Sequence, residues 1–244
     1  MLLLSAITGT ALFMMGVFIM NRVPAKWLCD YDEEPSEELL THNRFKGKTL
    51  YICGTVISAA AFVLIYLFYA MSIYTVLLML ITFVIIMVIL ADGKYYIIPD
   101  ELAIISAVLS LIFACYDFFA EQYVIRTWYS PLISSLGVGL LIIAVNFLTM
   151  LIAKKEGMGF GDVKLFAALG VATGFPNILT ALFISVITAF VIIVATLVIN
   201  AVRKKTTEQY IPFGPSICIG VFATLVLREP ITYLIGLYVS LLAG

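Results

Sequence analysis

Long apolar stretches, separated by short polar connections, run through almost the whole chain. They cover residues 1–20, 50–70, 72–91, 101–119, 131–153, 163–175, 178–201 and 216–227, with a further apolar segment at 231–244. Most of them reach the length of about 20 residues that an α-helix needs to cross the hydrocarbon core of a bilayer. The stretch 163–175 is short for a full crossing. The pattern predicts a bundle of membrane helices in which this short helix either crosses a thinned bilayer or stops part-way.

The composition agrees with a membrane protein. Hydrophobic residues make up 63% of the chain and charged residues 12%, and the mean hydropathy is +1.13, whereas soluble domains average about 25% charged residues. We therefore predict an all-α, polytopic membrane helical bundle with seven to eight transmembrane helices and membrane lipid around it. The 14 basic residues are scattered and the net charge is −1, so we expect no nucleic acid among its partners.

The basic residues assign the two faces of the membrane. If the apolar stretches alternate in direction, twelve of the 14 Lys and Arg residues fall on one face, and only Arg126 and Arg228 fall on the other. The positive-inside rule makes the richer face cytoplasmic. Asp92, at the end of the third stretch, and Asp162, at the start of the sixth, then lie on this same face.

A polar segment divides the chain into three parts. Residues 1–20 are predicted to be a retained first transmembrane helix, because they lack a basic start and a clear cleavage site. Residues 21–49 are predicted to be a cytoplasmic loop or small subdomain, too short to bury a core of its own, and residues 50–244 a helical membrane domain. The four cysteines form no CxxC pair; we interpret them as apolar filler and predict no metal site.

Asp92 and Asp162 are the candidate catalytic groups. An ionisable side chain near membrane depth is costly to bury, so it is a functional candidate by default. Two carboxylates that approach one water molecule cannot both ionise easily, and such a pair holds a single proton. The ionised member can take a proton from water while the protonated member polarises a peptide carbonyl, as in aspartic proteases.

A glycine-rich turn, residues 157–164, precedes and includes Asp162. Gly159 and Gly161 carry no side chains, so a peptide or a facing helix can approach the backbone closely. The turn does not match the dinucleotide-binding pattern GxGxxG, and no strand precedes it. Lys164 either screens the carboxylate of Asp162 or extends to the membrane interface.

Simpler interpretations of the acids stay open at this point. Asp162 is also suited to be the N-cap of the sixth helix, and Asp92 to be an ordinary interfacial residue at the end of the third. Pro99 cannot continue a helix from the preceding turn. Asp100 is well placed to cap a helix that begins at Glu101.

Three segments of the chain together resemble the signature motifs of a known family. They are Asp92 with Ile98-Pro99-Asp100, then Gly159-Phe160-Gly161-Asp162-Val163-Lys164, and finally Ile211-Pro212-Phe213-Gly214-Pro215. In this order they are similar to the motifs of the type IV prepilin peptidases, the GxGD membrane aspartic proteases. The resemblance implies that Asp92 and Asp162 are the catalytic pair. The residues expected to support or shape the site are Gly159, Gly161, Lys164, Pro99, Asp100, Pro212 and Gly214.

The resemblance also implies an activity and a location. It implies an integral membrane aspartic endopeptidase of the bacterial cytoplasmic membrane, which cleaves the leader of type IV prepilins or related pseudopilins after a glycine, at the cytoplasmic face. Proteolysis needs no cofactor in this family. Many members also methylate the new N-terminus with S-adenosylmethionine. Residues 16–24 resemble the family's N-terminal signature, but the segment 21–49 has only Cys29 in place of paired cysteines, so methyltransfer is left open.

Two other classes of function are compatible with the same residues. Acids in glycine-interrupted membrane helices also occur in proton- or ion-coupled transporters, although acids at helix ends and the lack of an internal repeat count against this. The other class is a structural subunit of a pilus or secretion machine that has lost catalysis. Cleavage of a prepilin that depends on Asp92 and Asp162 separates both classes from the protease.

Overall fold

A computed structural model of the chain describes residues 1–29, 34–41, 44–120, 124–154, 158–203, 212–228 and 240. Within these residues the structure is helical and contains no β-strand. The helices in chain order are α1 (Leu2–Met20), a short 3-10 helix (Ala25–Leu28), α2 (Glu37–Leu40), α3 (Lys48–Tyr69), α4 (Ile73–Tyr95), α5 (Asp100–Phe119), α6 (Ser130–Ala153), α7 (Phe160–Thr173), α8 (Asn177–Arg203) and α9 (Gly214–Val226).

Six helices in the described part of the chain are long and apolar enough to cross a membrane, namely α1, α3, α4, α5, α6 and α8. Helices α7 and α9 are shorter, with 14 and 13 residues. The predicted all-α polytopic bundle is confirmed, and its sixth apolar helix is as short as the sequence indicates. The apolar segment 231–244 lies outside the described residues except for residue 240.

Helix α4 is the central helix of the bundle. In the apolar part of α4, 56% of the residues are buried, whereas in that of α8 only 11% are buried. Helices α1, α3, α5 and α9 all pack against it. Large apolar side chains of α6 and α8 are instead widely exposed, as expected for helices whose outer faces contact lipid. The core of the bundle therefore lies around α4.

The end of α4 lies close to the beginnings of α7 and α9. Helix α7 packs against α5 and α6, while α9 packs against α8, α4 and α7. The absence of a side chain at Gly220 lets α9 approach α8, because a Cβ atom there would lie 2.1 Å from Ser185 Oγ and 2.5 Å from the Ala181 carbonyl oxygen. This packing brings the first turns of α7 and α9 towards the last turn of α4.

The connection between α3 and α4 is as tight as the sequence predicts. Helix α3 ends at Tyr69 and α4 begins at Ile73. The hydroxyl of Ser72, the N-cap of α4, accepts a hydrogen bond from the Thr75 N–H at 3.2 Å. The two helices therefore form the expected antiparallel hairpin.

Helix α5 begins one residue earlier than the sequence suggests. Its first residue is Asp100 and its N-cap is Pro99, so the expectation that Asp100 caps a helix starting at Glu101 is wrong. The proline has φ −58° and ψ 134°. Because that ψ lies outside the helical range while the next residue is already helical, Pro99 marks the boundary and Asp100 becomes the first helical residue.

The described part of the segment 21–49 contacts the end of α4. The backbone N–H of Phe45 donates to Asn21 Oδ1 at 2.9 Å, which ties the end of this segment to the end of α1. The Lys94 ammonium group donates to Glu38 Oε1 at 2.6 Å and to the carbonyl oxygen of Arg44. The segment is thus anchored two residues after Asp92.

Candidate active site

Asp92 lies in the last turn of α4 and is only 4% exposed. The helix continues past it to Tyr95 and ends at Tyr96, which adopts the left-handed conformation with φ 57° and donates its N–H to the Asp92 carbonyl oxygen at 3.0 Å. The interpretation of Asp92 as an ordinary interfacial residue is therefore wrong. Its carboxylate is enclosed by the bundle because α9 covers this end of α4.

The first residue of α9 contacts this carboxylate directly. The backbone N–H of Gly214 donates to Asp92 Oδ2 at 2.9 Å, using one of the N–H groups that a helix start leaves free. A Cβ atom at Gly214 would lie 2.5 Å from Asp92 Oδ2. This close approach gives a steric reason for the glycine in the third motif, the proline-rich motif of residues 211–215.

Asp162 lies in the first turn of α7 and is 5% exposed. The N-cap of this helix is Gly159, and Asp162 is the third helical residue, so the interpretation of Asp162 as an N-cap is wrong. Its Oδ1 atom is buried and has no hydrogen-bond partner. The carboxylate of Asp92 acts on it electrostatically. Both predicted acids are therefore buried at helix ends, Asp92 at the end of α4 and Asp162 at the start of α7.

Ile98 lies between the beginnings of α7 and α9, the helices that contain Gly161 and Gly214. It lies in the connection between α4 and α5 and is 8% exposed. A Cβ atom at Gly161 would lie 3.3 Å from Ile98 Cβ, and one at Gly214 would lie 3.2 Å from Ile98 Cδ1. The group nearest to Gly161 is thus the Ile98 side chain, and the approach of a peptide to this turn stays a prediction.

Lys164 pairs with Asp100. Its ammonium group lies 2.7 Å from Asp100 Oδ1 and 5.0 Å from the centroid of the Phe160 ring. The expectation that Lys164 either screens Asp162 or extends to the interface did not include this partner. The pair joins the beginning of α7 to the first turn of α5, because these two helices pack against each other.

The remaining predicted residues frame these contacts. Pro99 is buried beside Ile98, Pro212 is half-buried just before α9, and Gly159 has an ordinary extended conformation with φ −66° and ψ 149°. The N–H of Met158 donates to Asn146 Oδ1 at 3.2 Å, which ties the glycine-rich turn to α6. Residues 157 and 211 of the motifs lie outside the described residues.

Cys218 is a neighbour of the site that sequence reasoning missed. Its side chain is fully buried on α9, one turn after Gly214, whose N–H binds Asp92. We had interpreted the cysteines as apolar filler. The signal that identifies this one is its spacing, because four residues after Gly214 corresponds to one turn along the same face of α9.

The arrangement suits the activation of water. One carboxylate has a backbone N–H donor on Oδ2, and the other has a buried oxygen with no partner in the protein. Two such groups enclosed by apolar helices can share a proton and act as base and acid on one substrate. Among the described residues no three His, Cys, Asp or Glu side chains gather as metal ligands would.

The chain is similar to known proteins over this region. Residues 77–194 match the model of the type IV leader peptidase family. The chain is 28% identical over 143 residues to the prepilin leader peptidase/N-methyltransferase of Pectobacterium carotovorum subsp. carotovorum, which covers 59% of this chain and 48% of the relative. It is 32% identical over 143 residues to the protein of the same name from Stutzerimonas stutzeri, covering 58% and 46%.

These similarities cover part of each protein. The matched region contains Asp92, Pro99 and the glycine-rich turn with Asp162, whereas Gly214 lies beyond it. The chain spans about half the length of these curated relatives. No solved structure matches it. Over residues 77–194, the chain is therefore similar to the type IV leader peptidase family.

Proposed function

We propose that the protein is an integral membrane aspartic endopeptidase that removes the leader of type IV prepilins or pseudopilins. The observation that carries this proposal is the pair of buried carboxylates, Asp92 and Asp162, at the ends of two packed helices. The match of residues 77–194 to the model of the type IV leader peptidase family supports it, as does the similarity to relatives named prepilin leader peptidase/N-methyltransferase.

The proposed reaction uses one proton shared by the two acids. The ionised carboxylate takes a proton from water, whose oxygen attacks the scissile carbonyl, and the protonated carboxyl donates to the carbonyl oxygen. Collapse of the tetrahedral intermediate then releases the leader and the mature N-terminus. The Gly214 N–H at 2.9 Å holds Asp92 Oδ2 in position, and the unpartnered Oδ1 of Asp162 is free to bind water or substrate.

We propose that the site faces the cytoplasm and accepts substrate there. Lys94 and Lys164 lie within two residues of the two acids, on the face that carries most of the basic residues, which the positive-inside rule makes cytoplasmic. Cleavage follows a glycine because a residue without a side chain lets the substrate backbone enter a closely packed site. The several apolar helices and the bacterial relatives identify a multi-pass bacterial membrane protein.

The positions of the acids argue against the transporter alternative. Asp92 is in the last turn of α4 and Asp162 is in the first turn of α7. Coupling sites of transporters lie near the midplane of the bilayer, in the middle of interrupted helices. The alternative of an inactive structural subunit predicts the same fold, so a cleavage assay must separate it from the protease.

The decisive experiment is cleavage of a co-expressed prepilin in bacterial membranes. The wild-type protein should shorten the prepilin by its leader, and Asp92→Asn and Asp162→Asn should each abolish cleavage, because each removes one member of the acid pair. Glu101→Gln is the matched control, since it neutralises a half-buried acid in the first turn of α5 and should cleave normally.

The same assay identifies the alternatives. No cleavage by the wild-type protein, when a known prepilin peptidase cleaves the same substrate, would indicate an inactive subunit. Normal cleavage by either aspartate variant would contradict the proposed acid pair. Proton or ion flux in proteoliposomes that depends on Asp162 would instead support a transporter.

We propose N-methylation of the new N-terminus as a second activity, because the curated relatives carry N-methyltransferase in their names. In the segment 21–49, Arg44 is buried, donates to the Val23 carbonyl oxygen at 2.7 Å, and has an Nε atom without an acceptor. A carboxylate such as that of S-adenosylmethionine would satisfy this donor. The cofactor would supply the methyl group from its sulfonium.

Mass spectrometry of the cleaved pilin tests this activity. With S-adenosylmethionine present, the mature N-terminus should gain the mass of one methyl group, and Arg44→Gln should prevent the gain without preventing cleavage. A mature pilin that stays unmethylated in the presence of the wild-type protein and cofactor would show that the chain is a peptidase alone.

A further inference from the structure

Ile98 contacts the backbone beside each of the two acids. It lies six residues after Asp92 in the chain and is only 8% exposed. All three nearest atoms around a Cβ built at Gly161 belong to Ile98, at 3.3, 3.8 and 3.8 Å. Its Cδ1 atom lies 3.2 Å from the corresponding position at Gly214. One side chain therefore fills the space between the starts of α7 and α9.

Each of these contacts leads directly to a carboxylate. Gly161 precedes Asp162 in the first turn of α7, so a shift of the Gly161 backbone carries Asp162 with it. Gly214 holds Asp92 through its N–H, so a shift of α9 against Ile98 changes the position of that donor. The same side chain therefore borders the first turns of both α7 and α9.

The residue type and its neighbour make this contact stiff. Isoleucine is branched at Cβ and has few accessible χ1 rotamers. Pro99 restricts the backbone of the preceding residue to extended conformations. The proline is itself buried as the N-cap of α5. A stiff side chain on a restrained backbone can keep the beginnings of α7 and α9 at a fixed distance. A flexible side chain would change its rotamer and let that distance vary.

We propose that Ile98 is a positioning residue that sets the separation of the Asp92 and Asp162 carboxylates. The proposal rests on the proposed function, in which the two acids share one water molecule. Ile98 itself takes no part in the chemistry. Its side chain acts through Gly161 and Gly214, whose lack of side chains leaves the room that it fills.

Steady-state cleavage of a purified prepilin by Ile98→Val and Ile98→Ala tests the proposal. Ile98→Ala should lower kcat by about 10- to 100-fold, since small misplacements of reacting groups have effects of this order, and Ile98→Val, which removes only Cδ1, should lower it less. KM for the prepilin should stay unchanged. Ile97→Ala is the matched control, because this half-buried neighbour has the same chemistry and should retain kcat.

Two further measurements distinguish positioning from general packing. The width of the pH–rate profile should change in Ile98→Ala, because it reports the interaction between the two acids, while a loss of folded enzyme would lower the profile without changing its shape. Gly161→Ala should reduce kcat strongly in the wild-type background and less in the Ile98→Ala background, because the two residues are in contact. If Ile98→Ala does not fold, Ile98→Val and Ile98→Leu supply the same comparison.

The outcomes for the two proposals are separate. If the wild-type protein does not cleave prepilin, the proposed function fails. If it cleaves in a manner that depends on both aspartates, but the Ile98 variants show the kcat and pH profile of Ile97→Ala, or if the effects of Gly161→Ala and Ile98→Ala simply multiply, then the positioning role of Ile98 is overturned.

Discussion

The backbone N–H of Gly214 donates a hydrogen bond to Asp92 Oδ2 at 2.9 Å, across 122 residues of sequence. It connects the proline-rich motif near the end of the described chain to the first of the two acids. The contact requires a residue without a side chain, because a Cβ atom would lie 2.5 Å from the same oxygen. The proline-rich motif therefore contacts Asp92 directly, through the first residue of α9.

Gly214→Ala should strongly reduce prepilin cleavage. The new methyl group would push Asp92 Oδ2 or the start of α9 out of place, and displacements of this order reduce rates by about 100-fold. The matched control is Gly93→Ala, since a Cβ atom at Gly93 has no other atom within 4 Å. Equal kcat values for the two variants would show that the Gly214 contact does not matter to the reaction.

Breaking the pair of Lys164 and Asp100 should have only a modest effect. The two side chains are 32% and 40% exposed, and partly exposed ion pairs contribute about 0.2–1 kcal/mol. Lys164→Met and Asp100→Asn should each lower thermal stability slightly and reduce cleavage a few-fold. The charge-swapped variant Lys164→Asp with Asp100→Lys should recover part of the loss. Complete loss of cleavage in either single variant would instead indicate a direct role in the reaction.

Asp117 should matter for stability and not for chemistry. This fully buried carboxylate accepts the backbone N–H groups of Val124 at 2.8 Å and Ile125 at 2.5 Å. Asp117→Ala would leave these donors without that acceptor, which costs about 1–3 kcal/mol. Thermal unfolding in detergent should show a lower Tm, while kcat per folded molecule should be unchanged. Loss of kcat with an unchanged Tm would contradict this assignment.

The pair of Glu38 and Lys94 should stabilise the protein in a pH-dependent way. Hydrogen bonding and charge attraction from Lys94 lower the pKa of Glu38 below its ordinary value of 4.5. A carboxyl group with a lowered pKa stabilises the fold above its ordinary pKa, and this contribution disappears as the pH falls through the lowered value. The Tm of the wild-type protein should therefore exceed that of Glu38→Gln at neutral pH, and the difference should vanish in acid.

Glu37→Gln is the control for this pair, because it changes a neighbouring acid of the same short helix. It should have the wild-type Tm at neutral pH. High salt should reduce the effect of Glu38→Gln, since exposed ion pairs are screened. A Tm difference that is independent of both pH and salt would show that Glu38 acts through packing and not through its charge.

Much of the fold follows from local properties of the chain. The apolar stretches predict the bounds of the long helices to within a few residues. If the stretches alternate in direction, the end of the third stretch (α4) and the start of the sixth (α7) lie on one membrane face. The length of an apolar stretch decides whether a helix can cross a bilayer, so no knowledge of its neighbours is needed. The same reasoning predicts that Asp92 and Asp162 share one membrane face, which a catalytic pair requires.

The details of the site depend on contacts between distant segments. Lys164 pairs with Asp100 because α7 packs against α5, and no local pattern predicts that choice. The boundary at Pro99 also differs from expectation by one residue, because the start of a helix depends on backbone angles that composition does not specify.

By itself, the sequence determined the class of protein, the helices and the two acids, because hydropathy and motif spacing are properties of the chain alone. Only the tertiary structure decided that Gly214 binds Asp92 and that Ile98 lies between Gly161 and Gly214. The physical reason is that these contacts need helix ends from three separate parts of the chain to approach within a few ångströms. Such an approach is set by the packing of the whole bundle around α4.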